Sequence, residues 1–259
     1  MGFVASDHMP GGARKCRTLR PRCRGRKRSL RPGLRWRGFR PARGWSHSAA
    51  ATAAVFPSWV PLNNAILLTA HDGDAAAAAT ELTSVYADAG VDGWALWVPS
   101  AATDLDAPDD AYQVGGLRRD TTTLVMQAHL PRGLQLHDGV IRASIAAATR
   151  AGDEPVPSTD LGEPEMEPGL AAWVMAHDEV AVAGAWSFLH ERDCGIYAVG
   201  TVPGWRRRGL ARSLLEHVLA DAHRRGARTA TLQSTRIAQQ LYQSLCFEPA
   251  GRYEEWASG

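Results

Sequence analysis

The chain has 259 residues, of which 45% are hydrophobic, and a formal net charge of +2. That length holds one large or two modest globular domains, and no apolar run approaches the roughly 20 residues of a membrane helix, so no membrane partner is expected. The small net charge hides an asymmetry: residues 1–50 carry 14 Lys and Arg against one acid, Asp7, which leaves 15 bases and 26 acids for the rest. Cys16, Cys23, Cys194 and Cys246 show neither C-x-x-C pairing nor metal spacing. This speaks against a disulfide framework and against a bound metal, and for a reducing compartment, the cytoplasm.

Taken in order, residues 1–54 form an Arg-, Gly- and Pro-rich arm with few aliphatics, expected to be disordered because it has little to bury against its ordering entropy. Trp36, Phe39 and Trp45 make a nucleic-acid arm one reading; an organelle transit peptide and a solvated tail are the others. Residues 55–132 read as a first folded segment. Ile66–Leu68 is a strand, Ala75–Ala87 a helix ended by Gly90, Trp94–Val98 a strand stopped by Pro99, Ala107–Val114 a short helix, and Thr121–Met126 a β-branched strand after the Gly115-Gly116-Leu117 turn.

Residues 133–259 read as a second domain. Leu134–Leu136 is a candidate strand, Ile141–Arg150 a candidate helix, and Gly152–Gly169 a loop rich in Pro, Glu and Asp. Then the pattern becomes regular. Ala171–Met175, Val180–Leu189 and Gly195–Val202 form an antiparallel meander. An amphipathic helix follows with Leu210, Leu214, Leu215, Val218, Leu219 and Ala222 on one face, stopped by Gly226. Thr229–Gln233 is a strand, Ile237–Leu245 a helix with Ile237, Leu241 and Leu245 on one face, and Arg252–Trp256 a closing strand.

The stretch that organises the rest is Thr201–Arg212, a basic, Gly-containing turn between a strand and an amphipathic helix. Such a turn presents free backbone N–H groups and a positive helix end, which suits a pyrophosphate. It is neither G-x-x-x-x-G-K-[ST] nor G-x-G-x-x-G. Arg206-x-x-Gly209-x-Ala211, with Pro203 three residues before the Arg, resembles the coenzyme A loop of the GNAT N-acetyltransferase superfamily. A second stretch, Ala238-x-x-Leu241-Tyr242 followed by Cys246-Phe247, resembles the family's A-x-x-L-Y-x-x-x-G-F, with Cys246 where the family has Gly. Cys takes a positive φ less readily than Gly, so the turn beside Tyr242 is a point to check.

The resemblance runs closely from Leu170 to Trp256 and loosely from Val55 to Leu136. It implies the α/β (α+β) GNAT fold, a mixed, mostly antiparallel sheet flanked by helices, in residues 133–259. A degenerate GNAT-like half precedes it in 55–132, without a basic Gly turn between Trp94 and Met126 and hence without cofactor. It implies acetyl-CoA as co-substrate and a primary amine of a small molecule or protein as acceptor, a cationic one being favoured by the acidic body. Backbone groups of Val199, Gly200 and Thr201 would pair with the pantetheine. Arg206, Arg207, Arg208, Gly209, Leu210, Ala211 and Arg212 would hold the pyrophosphate, and Tyr242 would protonate the leaving thiolate. Against these stand a merely solvated basic turn and a core tyrosine. The base is not legible among Glu163, Glu179, His190, Glu191 and Asp193. The rivals to an enzyme are an acyl-CoA-binding module without turnover and a nucleic-acid-binding protein acting through the arm.

Overall fold

The computed structural model describes residues 45–47, 51–55, 64–67, 72–100, 105, 113–130 and 133–258. The expected arm lies mostly outside the described residues, but its described end is ordered and not disordered: Trp45–His47 and Ala51–Ala54 are paired strands, and Ala51 and Ala53 are buried. Most of the expected helix at 107–114 also lies outside the described residues. Its last two residues, Gln113 and Val114, form a strand instead.

The N-terminal part holds β1 (Trp45–His47), β2 (Ala51–Ala54), β3 (Asn64–Leu67), α1 (Asp72–Asp88), β4 (Ala95–Ser100), β5 (Gln113–Val114) and β6 (Leu117–His129). Next come β7 (Val140–Ala143), α2 (Ile145–Arg150), β8 (Val156–Pro157), β9 (Leu170–His177), β10 (Val180–His190) and β11 (Asp193–Thr201). The chain closes with α3 (Leu210–Arg224), β12 (Thr229–Ser234), α4 (Gln239–Ser244) and β13 (Glu248–Ala257). Helix α3 buries Leu214, Leu215, Val218, Leu219 and Ala222, the stripe its periodicity predicts. Helix α1 buries Ala75, Ala78, Ala79, Leu82 and Tyr86 at the same spacing.

Four expectations need correction. Ile141–Arg150 is not one helix: Val140–Ala143 is a strand, and the helix begins after Ser144, whose extended backbone and Oγ, accepting the Ala147 N–H at 3.2 Å, make it the N-cap. Leu134–Leu136 is not a strand; Leu134 packs into the core from a loop. The stretch Gly152–Gly169 contains β8, paired with β10 at Val180 and Ala181. Strand β4 runs through Pro99, because β3 pairs only as far as Trp97 and leaves one side of Pro99 without a strand neighbour.

The strands join one mixed sheet in the order β1-β2-β3-β4-β13-β6-β12-β11-β10-β9-β7. Only β3/β4 and β11/β12 are parallel, and each pair is connected through a helix, α1 or α3. The sequence boundary at 132/133 does not divide the sheet. Strand β6 lies between β12 and β13, and β13 lies between β6 and β4. Each half thus lends its last strand to the other.

Directly paired residues share a face. Cys194, Ile196, Ala230, Leu232, Leu124 and Met126 pack under α3 and α4, and Leu96 and Trp256 pack with α1 on the same side. Helix α2 packs on the opposite side, over Ala172, Val174 and Ala181.

Candidate active site

Strand β11 pairs with β12 from Asp193↔Thr229 to Ile196↔Leu232 and no further. Beyond that point β12 follows β6, with Gln233 opposite Val125 and Ser234 opposite Leu124. The two parallel strands therefore part, and the β12-facing edge of Tyr197–Thr201 has no strand neighbour. Where they part, β11 carries a bulge. Tyr197 lies opposite Trp186 and Gly200 opposite Gly184, so Ala198 and Val199 together face Ala185, and Ala198 takes φ +49°. A bulge re-aims backbone groups and ends regular pairing. Gly200 is required by contact: a Cβ there would lie 2.5 Å from the Cα of Gly152, the residue that seats the end of α2 on the strand.

The chain then makes a 3-10 turn, Pro203–Trp205, and enters α3 through Arg207 at φ +64° and Gly209 at φ +82°. Gly209 is the N-cap and offers no side-chain acceptor, and the first turn holds no acidic residue. The first helical bond runs from Ser213 N–H to Gly209 O at 3.0 Å, so the N–H groups of Leu210, Ala211 and Arg212 remain for an outside acceptor. A Cβ on Gly209 would meet nothing within 4 Å, so the space in front of the helix start is open.

The arginines divide in two groups. Arg206 Nε donates to Thr201 O at 2.9 Å, tying the turn to the end of β11. Arg208 donates to Gly204 O at 3.1 Å and lies over the Trp205 ring, 4.8 Å from its centroid. Arg212 donates to Glu216 at 3.0 Å and to Ser244 Oγ at 3.0 Å, joining the start of α3 to the end of α4. These three shape the loop with their side chains. Arg207 is exposed and makes no such bond among the described residues. All four keep their charge beside the helix start, where it adds to the helix dipole.

Tyr242 is 5% exposed and packs with Ile196, Leu215 and Leu232, beneath the strands that part. Its ring meets Phe247 edge-on at 5.9 Å, and burial pushes its phenol up to about 12. The helix carrying it is shorter than expected: Arg236–Ala238 is a 3-10 turn and α4 begins at Gln239. Of the expected face Ile237, Leu241 and Leu245, the last two pack against the core and Ile237 does not. Ile237 is 96% exposed and only Tyr242 is fully inside.

Cys246 takes φ +65°, and its turn closes as a helix stop, with Phe247 N–H to Tyr242 O at 3.0 Å and Cys246 N–H to Gln243 O at 3.0 Å. The Cys accepts the conformation of the Gly it replaces at a cost of about 1 kcal/mol.

Residues 142–247 match the model of the acetyltransferase (GNAT) family. They form a GNAT acetyltransferase domain. The fold of the wider chain is similar to solved GNAT structures. A GCN5-related N-acetyltransferase from Kribbella flavida superposes with a TM-score of 0.55 at 18% identity, over 83% of this chain and 89% of that one. An acetyltransferase of the GNAT family from Novosphingobium aromaticivorans gives 0.52 at 20%, over 82% and 88%. A protein of unknown function from Staphylococcus epidermidis gives 0.54 at 10%, over 82% and 92%. No curated protein matches the chain.

Within this GNAT domain Asp193, His190 and Glu191, weighed as bases, lie away from the parting strands. Asp193 begins β11, six residues or about 20 Å from Val199, and accepts the hydroxyls of Thr229 (2.6 Å) and Thr231. His190 and Glu191 lie at that same end. Glu163 is exposed in an irregular loop and Glu179 is exposed in the β9–β10 turn. The bulge at Ala198–Val199 and the seat at Gly152 were not readable from sequence. A bulge leaves no composition signal, and Gly152 lay inside an apparently irregular loop.

Proposed function

We propose that this chain transfers an acetyl group from acetyl-CoA to a primary amine, with the cofactor held entirely by residues 133–259. The observation that carries the reading is the unpartnered edge of Tyr197–Thr201 leading straight into an uncapped, Arg-flanked helix start. An edge of that kind takes an extended ligand as an added strand, which suits the amides of pantetheine against Val199, Gly200 and Thr201. The helix start suits the pyrophosphate, bound by the N–H groups of Leu210, Ala211 and Arg212, with Arg206, Arg207, Arg208 and Gly209 shaping and charging the loop. Pyrophosphate to thioester then runs from α3 back along β11, so the acetyl group ends at the bulge.

There the amine nitrogen attacks the thioester carbonyl carbon. A bulge N–H at Ala198 or Val199 stabilises the oxyanion, the C–S bond breaks, and the sulfur takes a proton. Tyr242, protonated at neutral pH as any tyrosine is and held further so by its burial, is the proton donor, and a free thiol with a pKa of ~8.5 keeps what it receives. The ammonium proton leaves through water. The amine belongs to a small molecule or a protein. Residues 55–132 are a GNAT-like half without cofactor, and the basic arm takes no part in acetyl transfer.

Gly209→Glu tests the reading. A carboxylate at the helix start should abolish the rise in melting temperature that acetyl-CoA gives the parent, with the far-UV spectrum unchanged. The parent should release free thiol from acetyl-CoA in an amine panel. Binding without thiol release would make the chain a binding module, and unaltered binding by the variant would move the site elsewhere.

A further inference from the structure

Among the described residues, the core clusters put α2 on its side of the sheet only over β7, β9 and β10. From β10 across to β4 no helix among the described residues packs on that side, which forms a half-buried face. The registers define it: Trp186 opposite Tyr197, Gln233 opposite Val125, Thr123 opposite Tyr253, and Trp97 opposite Glu255.

Two aromatic pairs wall this face. Trp186 and Tyr197 stack with centroids 4.4 Å apart, and Trp97 and Tyr253 lie 5.9 Å apart. Tyr197 leans back along its strand, over a position where any Cβ would collide with its hydroxyl, which is why Gly195 is there. The floor between them is polar, with Thr123 Oγ1 donating to Gln233 Oε1 at 3.4 Å.

The charge on this face is one-sided. Burial and neighbouring Asp120 push the Glu255 carboxyl up, and the Trp97 indole beside it works the other way, favouring the charged form. The nearby cations are directed elsewhere. Arg119 and Arg252 pair with Glu254 on the opposite face, and Arg118, opposite Ala257, stands at the rim. Asp193, His190 and His129 occupy the far end of the face.

Position points the same way. Ile196, Leu232 and Met126 lie on one level of the sheet, where β11 and β12 part. Tyr253 and Glu255 lie beyond that level, on the side of the parted strands. The walls therefore flank the mouth of the cleft from the side that α3 and α4 leave free.

We propose that this face is the acceptor site and binds a primary amine with an apolar, flat body, Glu255 holding the ammonium and the pair Trp97–Tyr253 beside it holding the body. The proposal rests on the acetyl-transfer reading in taking the bound amine as acceptor; the binding does not need it. A carboxylate bonds an ammonium strongly when both leave water together, and aromatic faces attract the same charge. The site also gives the exchanged strand a use. Glu255 and Tyr253 come on β13 and Trp97 on β4, so the N-terminal half serves the acceptor and not the cofactor.

The test uses the full chain and two probes of one shape, phenethylamine and the uncharged phenethyl alcohol, titrated calorimetrically without acetyl-CoA. Phenethylamine should bind in the millimolar range or tighter, and the alcohol at least about tenfold more weakly. Glu255→Gln, which keeps the shape, should weaken the amine by about ten- to a hundredfold and leave the alcohol unchanged. Trp97→Ala should weaken both. Equal binding of amine and alcohol by the parent, no detectable amine binding, or an unchanged amine affinity in Glu255→Gln would overturn the proposal. The acetyl-CoA melting shift, measured on the same samples, reports separately on the acetyl-transfer reading: it should survive Glu255→Gln, and its absence in the parent would count against that reading alone.

Discussion

The chain makes one supersecondary unit twice, β3–α1–β4 and β11–α3–β12, and the two differ where the helix begins. Helix α3 follows Arg206-Arg207-Arg208-Gly209 and has no acid in its first turn. Helix α1 opens with Asp72-Gly73-Asp74. Acids at a helix start satisfy the dipole from within and repel an external phosphate, whereas an uncapped start with arginines invites one. On the proposed reading the same topology yields a phosphate site in one case and a plain structural crossover in the other. The difference teaches that the strand–helix–strand frame supplies only the position; the three or four residues at the helix start decide its use.

The comparison can be sharpened at Tyr242, which belongs to the α3 unit alone. Tyr242→Phe keeps the ring and its contact with Phe247 and removes the proton donor. Steady-state kinetics with chemistry rate-limiting should show kcat down about 10²-fold, with the acetyl-CoA melting shift retained. An undiminished kcat would return Tyr242 to a packing role. A smaller effect is expected at the turn that follows. Cys246→Gly relieves the φ of +65° and should raise stability by about 1 kcal/mol, or about 2–4 °C in Tm for a chain of this size. A lower Tm would show that the Cys side chain supplies packing that outweighs its backbone strain.

Much of this was legible in the sequence, for identifiable reasons. Strands β9 to β12 and helix α3 have strong periodicity and clean stops, and the Arg206–Ala211 turn carries its chemistry in residue types. What failed did so where a local signal was weaker than a tertiary one. The apparent helical stripe Ile141–Arg150 hid a Ser144 cap and an edge strand. Pro99 read as a stop because its missing N–H was judged without knowing that the pairing of β3 with β4 ends at Ile66 and Trp97. Ile237 looked like a core position because the 3-10 turn at Arg236–Ala238 changes the helix phase. The exchange of β6 and β13 has no local signature at all, since it pairs residues more than 100 positions apart, such as Leu124 with Arg252. The acceptor face was invisible for the same reason: Trp97, Thr123, Tyr197 and Glu255 become neighbours only through that exchange.

The account's central claim is that one of the two similar units, and not both, binds the cofactor. Isothermal titration of the full chain with acetyl-CoA tests it directly. One molecule bound per chain, with none left binding in Gly209→Glu, is the predicted result. Two per chain, or one that persists in the Gly209→Glu variant, would contradict it.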